Sequence, residues 1–147
     1  MMQNRKTATK LLLVRWSRFQ HVCIELEGST LFTGVNGSGK STVLDAMTYV
    51  LTGNTQFNKA AKDKDRTVKG YVRGDTKSNG ATRYLRQGQV VSYIAMEFWS
   101  PAEQEHLVIG VCIESQDEVS APGSSWFVCR NAQIEDLNFC EIDGKNM

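Results

Sequence analysis

Apolar residues form strand-like patterns in two parts of the chain, one near its start and one in its second half. Near the start, apolar runs at Leu11–Val14 and Val22–Leu26 flank the short connection Arg15–Phe19. They predict two strands that follow one another as in a hairpin. In the second half, Ile94, Met96 and Phe98 recur with a period of two, which predicts a strand with one apolar face.

Two further apolar runs follow that strand. After the Ser100-Pro101 turn, the residues that share one face are Leu107, Ile109, Val111 and Ile113. A third run, Trp126–Cys129, follows the loop that contains Pro122-Gly123. Three successive strands joined by turns rather than helices predict an antiparallel meander.

A glycine-rich loop lies between the first hairpin and the meander. Residues 34–41 read Gly-Val-Asn-Gly-Ser-Gly-Lys-Ser, which matches the phosphate-binding pattern G-x-x-x-x-G-K-[ST]. The preceding run Ser29–Thr33 predicts a short strand, and Lys40–Leu51 predicts a helix. The apolar face of that helix would carry Val43, Met47 and Val50. Strand, glycine loop and helix is the order that this motif requires.

The residue types in the loop indicate how it would hold a nucleoside triphosphate. Backbone N–H groups at Gly37–Gly39 would form a nest for phosphate at the positive end of the helix. Lys40 would reach the β- and γ-phosphates, the Ser41 hydroxyl would ligate Mg²⁺, and Thr42 would contact phosphate. The predicted nucleotide-binding residues are Gly34, Asn36, Gly37, Ser38, Gly39, Lys40, Ser41 and Thr42.

Charge is divided unevenly along the 147 residues. Residues 1–90 carry fifteen Lys and Arg against six Asp and Glu, a balance of +9, whereas residues 91–147 carry two against ten, a balance of −8. The polar segment 54–90 holds most of the basic residues, and we expect it to form an excursion outside the core. Such a segment is either a solvated surface or a basic face for a polyanion such as DNA.

The sequence gives little support for a further metal site or for a segment that enters a membrane. The four cysteines form no C-x-x-C pair and the two histidines lie far apart, so we expect no metal other than Mg²⁺. The basic start of the chain is followed by only a short apolar run, Leu11–Val14, which predicts neither a signal peptide nor a membrane span and favours a cytoplasmic protein.

Two apolar runs end in an acidic residue, as the Walker B element does: Ile94–Glu97 and Val111–Glu114. Both continue as alternating strands, which favours ordinary hairpin strands. A small self-sufficient nucleotide kinase or GTPase would need such an element. Asn58–Ala61 also lacks the aspartate of the guanine-reading N-K-x-D sequence.

The stretch Thr33–Ala46, which contains the loop, resembles the N-terminal half of an SMC-type ATPase head within the ABC superfamily. Four further stretches are similar to the MukB-like SMC subunit of Wadjet and MksB condensin systems: residues 57–61, 66–74, 84–86 and 92–98. The resemblance runs from about Leu11 to about Phe127.

This resemblance implies an α/β fold, the N-terminal lobe of an ABC/SMC P-loop NTPase head with an antiparallel β-meander. Residues 11–53 would form the P-loop core, 54–90 the basic excursion and 91–131 the antiparallel strands of a lobe spanning 1–147. Residues Arg66, Lys69 and Arg73 would contact DNA or the nucleotide of an engaged head, with an ordinary solvated loop as the alternative.

The resemblance also implies partners and a reaction. ATP and Mg²⁺ would bind this half-site, the C-terminal half of the head would complete it, and a second SMC head would present its signature motif to the γ-phosphate. Kleisin-like and winged-helix subunits, DNA and, in Wadjet-type systems, a nuclease would join the assembly. Two alternatives stay open: a self-sufficient small P-loop enzyme, and a non-catalytic nucleotide-binding docking module.

Overall fold

The structure, a computed structural model, describes residues 4–35, 39–57, 67–78 and 81–138. Within these ranges the strands are β1 Thr7–Trp16, β2 Phe19–Glu25, β3 Asp75–Ser78, β4 Ala81–Tyr84, β5 Val90–Ser100, β6 Glu105–Ser115 and β7 Gly123–Arg130. The helices are α1 Lys40–Thr52 and α2 Val68–Arg73, and a 3-10 turn, η1, spans Ile134–Asp136.

Five of the strands form one antiparallel sheet in the order β2-β1-β5-β6-β7. The first hairpin and the meander predicted from the sequence are both confirmed. The pairing of β1 with β5, which places Leu11 opposite Met96 and Leu13 opposite Ile94, joins them into a single sheet. Strands β3 and β4 form a separate two-stranded hairpin.

Both helices lie against one face of the sheet. That face carries the predicted apolar positions of the meander, including Ile94 and Val111, and the core there also takes in Val43 and Val50 of α1. The opposite face carries a smaller apolar cluster around Leu12, which η1 covers at one end. Burial of one large aliphatic side chain contributes about 1.5–3 kcal/mol, so the helix-covered face supplies most of the hydrophobic stabilisation.

The helix predicted after the glycine loop is confirmed. It begins at Lys40 and ends at Thr52, one residue beyond the predicted end. Gly53 then adopts a left-handed conformation with φ 68°, and its N–H donates to the carbonyl of Tyr49 at 2.8 Å. Glycine suits this position because it has no Cβ to clash in that conformation.

The strand predicted over Ser29–Thr33 is not formed. Residues 29–33 have no strand assignment, and the side chain of Leu31 is 84% exposed. A strand needs a hydrogen-bonding neighbour. Each pairing among the described strands is antiparallel and involves other residues, so propensity alone did not produce a ladder here.

The predicted excursion also needs correction, because part of residues 54–90 belongs to the core. Helix α2 contacts β1, β5 and β6, and both Tyr71 and Val72 are buried. Val68, Tyr71 and Val72 stand at the i, i+3 and i+4 positions of one helical face. The basic residues around them concealed this short apolar pattern.

We predict that Gly110→Ala destabilises the sheet. A Cβ at Gly110 would overlap the ring of Phe127 on the neighbouring strand, lying 2.8 Å from Cε1 and Cε2. The ring would have to move, so we expect a loss of about 1–3 kcal/mol in the free energy of unfolding, measured by urea titration. Gly123→Ala is the matched control, since a Cβ there meets nothing within 4 Å; equal unfolding midpoints for the two variants would contradict the prediction.

Candidate nucleotide-binding site

The glycine loop runs directly into the first turn of α1. Gly39 occupies the N-cap position with φ 103° and ψ 8°, and its carbonyl accepts the N–H of Val43 at 3.0 Å. No side chain of the described residues caps this end of the helix, and its first turn contains no acidic residue. The unpaired N–H groups and the positive end of the helix dipole are therefore directed at a position suited to an anion.

Lys40 spans the loop from one end to the other. Its ammonium group donates to the carbonyl of Gly34 and, at 3.2 Å, to the carbonyl of Val35. The intervening residues 36–38 lie outside the described ranges, so the predicted contacts of Asn36, Gly37 and Ser38 stay predictions. The ammonium group of Lys40 thus lies beside the residues that precede this gap, and we expect phosphate to replace the two carbonyls.

The other predicted residues lie on the first turn of the same helix. Ser41 and Thr42 are partly exposed next to Lys40. The backbone of this turn is fixed from the sheet, because the indole N–H of Trp16 donates to the carbonyl of Thr42 at 3.0 Å. The structure thus brings Gly34, Gly39 and the start of α1 together at one end of the helix.

One contact at this site was not expected from the sequence. The ring of Phe19, at the start of β2, lies over Gly39, so that a Cβ at that glycine would be 3.0 Å from Cζ of the ring. The turn between β1 and β2 therefore packs directly against the loop. A glycine at the end of the loop and an aromatic residue after the turn are visible in the sequence, but their contact depends on the tertiary fold.

A buried hydrogen bond joins α1 to α2. Asp45 is buried on α1 and accepts a hydrogen bond from the hydroxyl of Tyr71 on α2. The Tyr71 ring in turn stacks on Trp16 with a centroid distance of 4.5 Å. A buried carboxylate requires a partner. This contact could not be predicted from the sequence, because Asp45 stands opposite the apolar face predicted for the helix.

The acidic residues of the two runs that resemble a Walker B element lie on the other face of the sheet from α1. Glu97 is 1% exposed, and its carboxylate accepts hydrogen bonds from the Thr9 hydroxyl and from the Ile134 backbone N–H, the latter at 2.9 Å. Glu114 is exposed and shares its side of β6 with Cys112, which belongs to the cluster of that same far face. The interpretation of both runs as hairpin strands is confirmed, and neither carboxylate faces the glycine loop.

The three basic residues singled out in the sequence differ in position. Arg66 lies outside the described residues. Lys69 is partly exposed, and its ammonium group donates to the carbonyl of Val119 at 3.1 Å. Arg73 is 0% exposed, which is at odds with the expected contact to DNA or to a second head. Its guanidinium bonds the Ser115 hydroxyl and the carbonyls of Arg86, Gly88 and Ser115, so its role here is to join loops.

The residues present fit a triphosphate with its metal ion. An uncapped helix start, an ammonium group on the loop carbonyls and a first-turn hydroxyl are the donor set for phosphate and Mg²⁺. Elsewhere in the described ranges, no group of three His, Cys, Asp or Glu is arranged to hold a metal ion.

Comparison with known families supports the same assignment. A family model described as the P-loop containing region of AAA domain matches residues 8–64, which hold nearly all of β1 together with β2, the glycine loop and α1. A search of curated proteins found no match. The chain therefore contains the P-loop region of an NTPase, a region that implies binding of a nucleotide, usually with Mg²⁺, within a mixed fold that includes an antiparallel sheet. In the described part of the chain, no helix is long and apolar enough to span a membrane.

We predict that Gly39→Ala impairs both folding and nucleotide binding. A φ of 103° is unfavourable for an L-residue, and the added Cβ would press on Phe19. We expect a loss of about 1–3 kcal/mol in the free energy of unfolding, together with weaker Mg²⁺-nucleotide binding measured by calorimetry. Gly28→Ala is the control, because its φ is also positive, at 53°, but a Cβ there meets nothing within 4 Å. Because φ near 53° is also easier for an L-residue than φ 103°, equal losses would show that neither the φ of Gly39 nor the Phe19 contact adds a cost.

Proposed function

We propose that the chain is the ATP-binding half of an SMC-like ATPase head, which acts on DNA once it is joined to its other half. The observation that carries the proposal is the loop and helix just described, set against an antiparallel meander. Small P-loop enzymes such as nucleotide kinases alternate strands and helices at this point instead. The sequence resemblance across residues 32–98 supports the SMC assignment.

The surface around the P-loop supports a half-head that another lobe covers. Leu44 and Leu51, on the outer side of α1, are 51% and 50% exposed, and Leu31 and Val35 before and within the loop are more exposed still. Large apolar side chains exposed along one side of a functional site mark a surface for association. We propose that the C-terminal half of the head covers this side.

The chemistry of the half-site follows from its donors. Lys40 would exchange its two loop carbonyls for β- and γ-phosphate oxygens, and the first N–H groups of α1 would hold the same phosphates. The Ser41 hydroxyl would hold Mg²⁺, which neutralises charge on the phosphate oxygens when it is bound. These groups bind and orient ATP. We assign the residue that orients the attacking water to the partner halves, because Glu97 and Glu114 lie on the far face of the sheet.

The proposed assembly contains a second head that sandwiches two ATP molecules, with kleisin-like and winged-helix subunits and DNA. In a Wadjet-type system a nuclease subunit joins it and the outcome is defence against plasmids. In a condensin-type system the outcome is chromosome compaction. Both activities use ATP-driven extrusion of DNA loops.

We predict that Lys40→Ala strongly weakens binding of Mg²⁺-ATP by the purified chain. A charge-assisted hydrogen bond contributes about 1.5–3 kcal/mol, so loss of the ammonium group should lower the affinity by about 10- to 100-fold in equilibrium dialysis. Lys6→Ala is the control, because Lys6 is exposed and its ion pair with Glu103, at 3.7 Å, involves residues outside the P-loop. Circular dichroism checks that both variants fold, and unchanged ATP affinity in a folded Lys40→Ala variant would contradict the assignment.

We predict that the double charge reversal Arg66→Glu with Lys69→Glu weakens binding of duplex DNA. Removal of two phosphate contacts should flatten the plot of log K against log salt by about 2 units, because each contact contributes a slope of about 0.9. Fluorescence anisotropy over a salt series measures the slope. Arg130→Glu is the control, since Arg130 is exposed on β7 and bonds Glu103 and Glu105. An unchanged slope in the double variant would remove these residues from the DNA-binding surface.

A further inference from the structure

The turn between β1 and β2 has an unfavourable backbone conformation. Arg15 and Ser17 have φ values of 51° and 53°, in the left-handed region that few non-glycine residues adopt. Each such residue costs free energy and is retained where the surroundings hold it. The turn therefore depends on contacts from other elements.

Those contacts come from helix α2 and from Arg86. The N–H of Ser17 donates to the carbonyl of Tyr71 at 2.6 Å. The guanidinium of Arg86 donates to the carbonyl of Ser17 at 2.9 Å and to that of Phe19 at 3.2 Å. A third bond, at 3.0 Å, goes to the carbonyl of Val72. One side chain thus fastens both ends of the turn to α2.

The charged guanidinium of Arg86 loses contact with water in this position, which would cost free energy if the three carbonyls did not bind it. The side chain is half-buried, and burial lowers the pKa of its guanidinium, with a further lowering from the positive charge of Arg15. The hydrogen bonds to the three backbone carbonyls offset the cost of removing the guanidinium from water. A planar guanidinium can donate to all three at once, whereas the compact ammonium group of lysine does not match this geometry.

Arg86 is itself held in place by the buried Arg73. The Arg73 guanidinium donates to the backbone carbonyl of Arg86 at 3.1 Å and is anchored to Ser115 at the end of β6. The backbone that carries Arg86 is consequently tied to the sheet. The turn is therefore fixed relative to the sheet through two successive arginines.

The turn reaches the glycine loop through one side chain. Phe19, whose carbonyl Arg86 binds, lays its ring over Gly39, and Gly39 precedes Lys40. We propose that Arg86 is a positioning residue for the nucleotide site: it holds the turn so that Phe19 keeps the end of the glycine loop in its phosphate-binding conformation. This inference rests on the proposed nucleotide-binding function.

The test is a double-mutant cycle that uses Arg86→Gln and Phe19→Ala in the full chain. Calorimetry with Mg²⁺-ATP measures affinity, and thermal unfolding without nucleotide measures stability. We expect each single variant to weaken binding by about tenfold, and we expect the double variant to be no weaker than the poorer single variant. A role in stability alone would lower the melting temperature and leave affinity at a temperature well below melting unchanged.

Two further variants complete the design. Arg86→Lys keeps the charge without the three-way geometry, so we expect it to lie between the wild type and Arg86→Gln in affinity; it replaces Arg86→Gln in the cycle if that variant does not fold. Arg130→Gln, an exposed arginine on β7, should bind as the wild type does.

The outcomes separate this inference from the function on which it rests. Wild-type affinity in folded Arg86 variants, or losses that multiply in the double variant, would overturn the role of Arg86 while nucleotide binding by the wild type stands. Absence of binding by the wild-type chain would overturn both.

Discussion

The position of the nucleotide site depends on the burial of Trp16 between the sheet and the two helices. This residue ends β1, is fully buried, and donates its indole N–H to the carbonyl of Thr42 in the first turn of α1. Its ring stacks on Tyr71 at 4.5 Å and lies nearly parallel to Tyr49 at 6.4 Å. A single side chain thereby sets where α1 begins relative to the sheet. Because the glycine loop ends where α1 begins, the same contact sets the place of the loop.

The features that repeat over short distances could be predicted from the sequence. Strands of the meander follow from a period of two, and α1 follows from its apolar face and from Gly53 at its end. The pairing of β1 with β5 could not be predicted in the same way, since it joins residues 79 to 92 positions apart. Register between such distant segments depends on how the whole core is filled.

The sequence indicates the glycine loop as a phosphate-binding motif, but it does not indicate which side chains pack around that loop. The spacing of the loop residues predicts Lys40 as a phosphate ligand and Ser41 as a Mg²⁺ ligand, and both roles stay predictions. Arg73 and Arg86 looked like members of a solvated basic segment, because sequence composition does not distinguish an exposed arginine from one whose guanidinium bonds several backbone carbonyls. The strand expected at Ser29–Thr33 failed for a related reason: propensity describes a residue, whereas a strand requires a neighbour.

The phosphate-binding groups and the two carboxylates with a Walker B-like setting lie on opposite faces of the sheet. The face that carries α1 presents phosphate-binding groups and exposed apolar side chains, whereas the carboxylate of Glu97 is consumed by Thr9 and Ile134 on the other face. This arrangement is consistent with the proposed function, in which the chain binds ATP and other lobes supply the rest of the reaction. In that proposal, the lobe that covers the exposed apolar side of α1 also brings the missing catalytic groups to the glycine loop.

The most direct test of this account is ATP turnover by the purified chain in the presence of Mg²⁺, measured beside ATP binding under the same conditions. We expect saturable binding with no phosphate release above the rate without protein. Phosphate release by the chain alone that disappears when Lys40 is replaced would contradict it and would indicate a complete small P-loop enzyme.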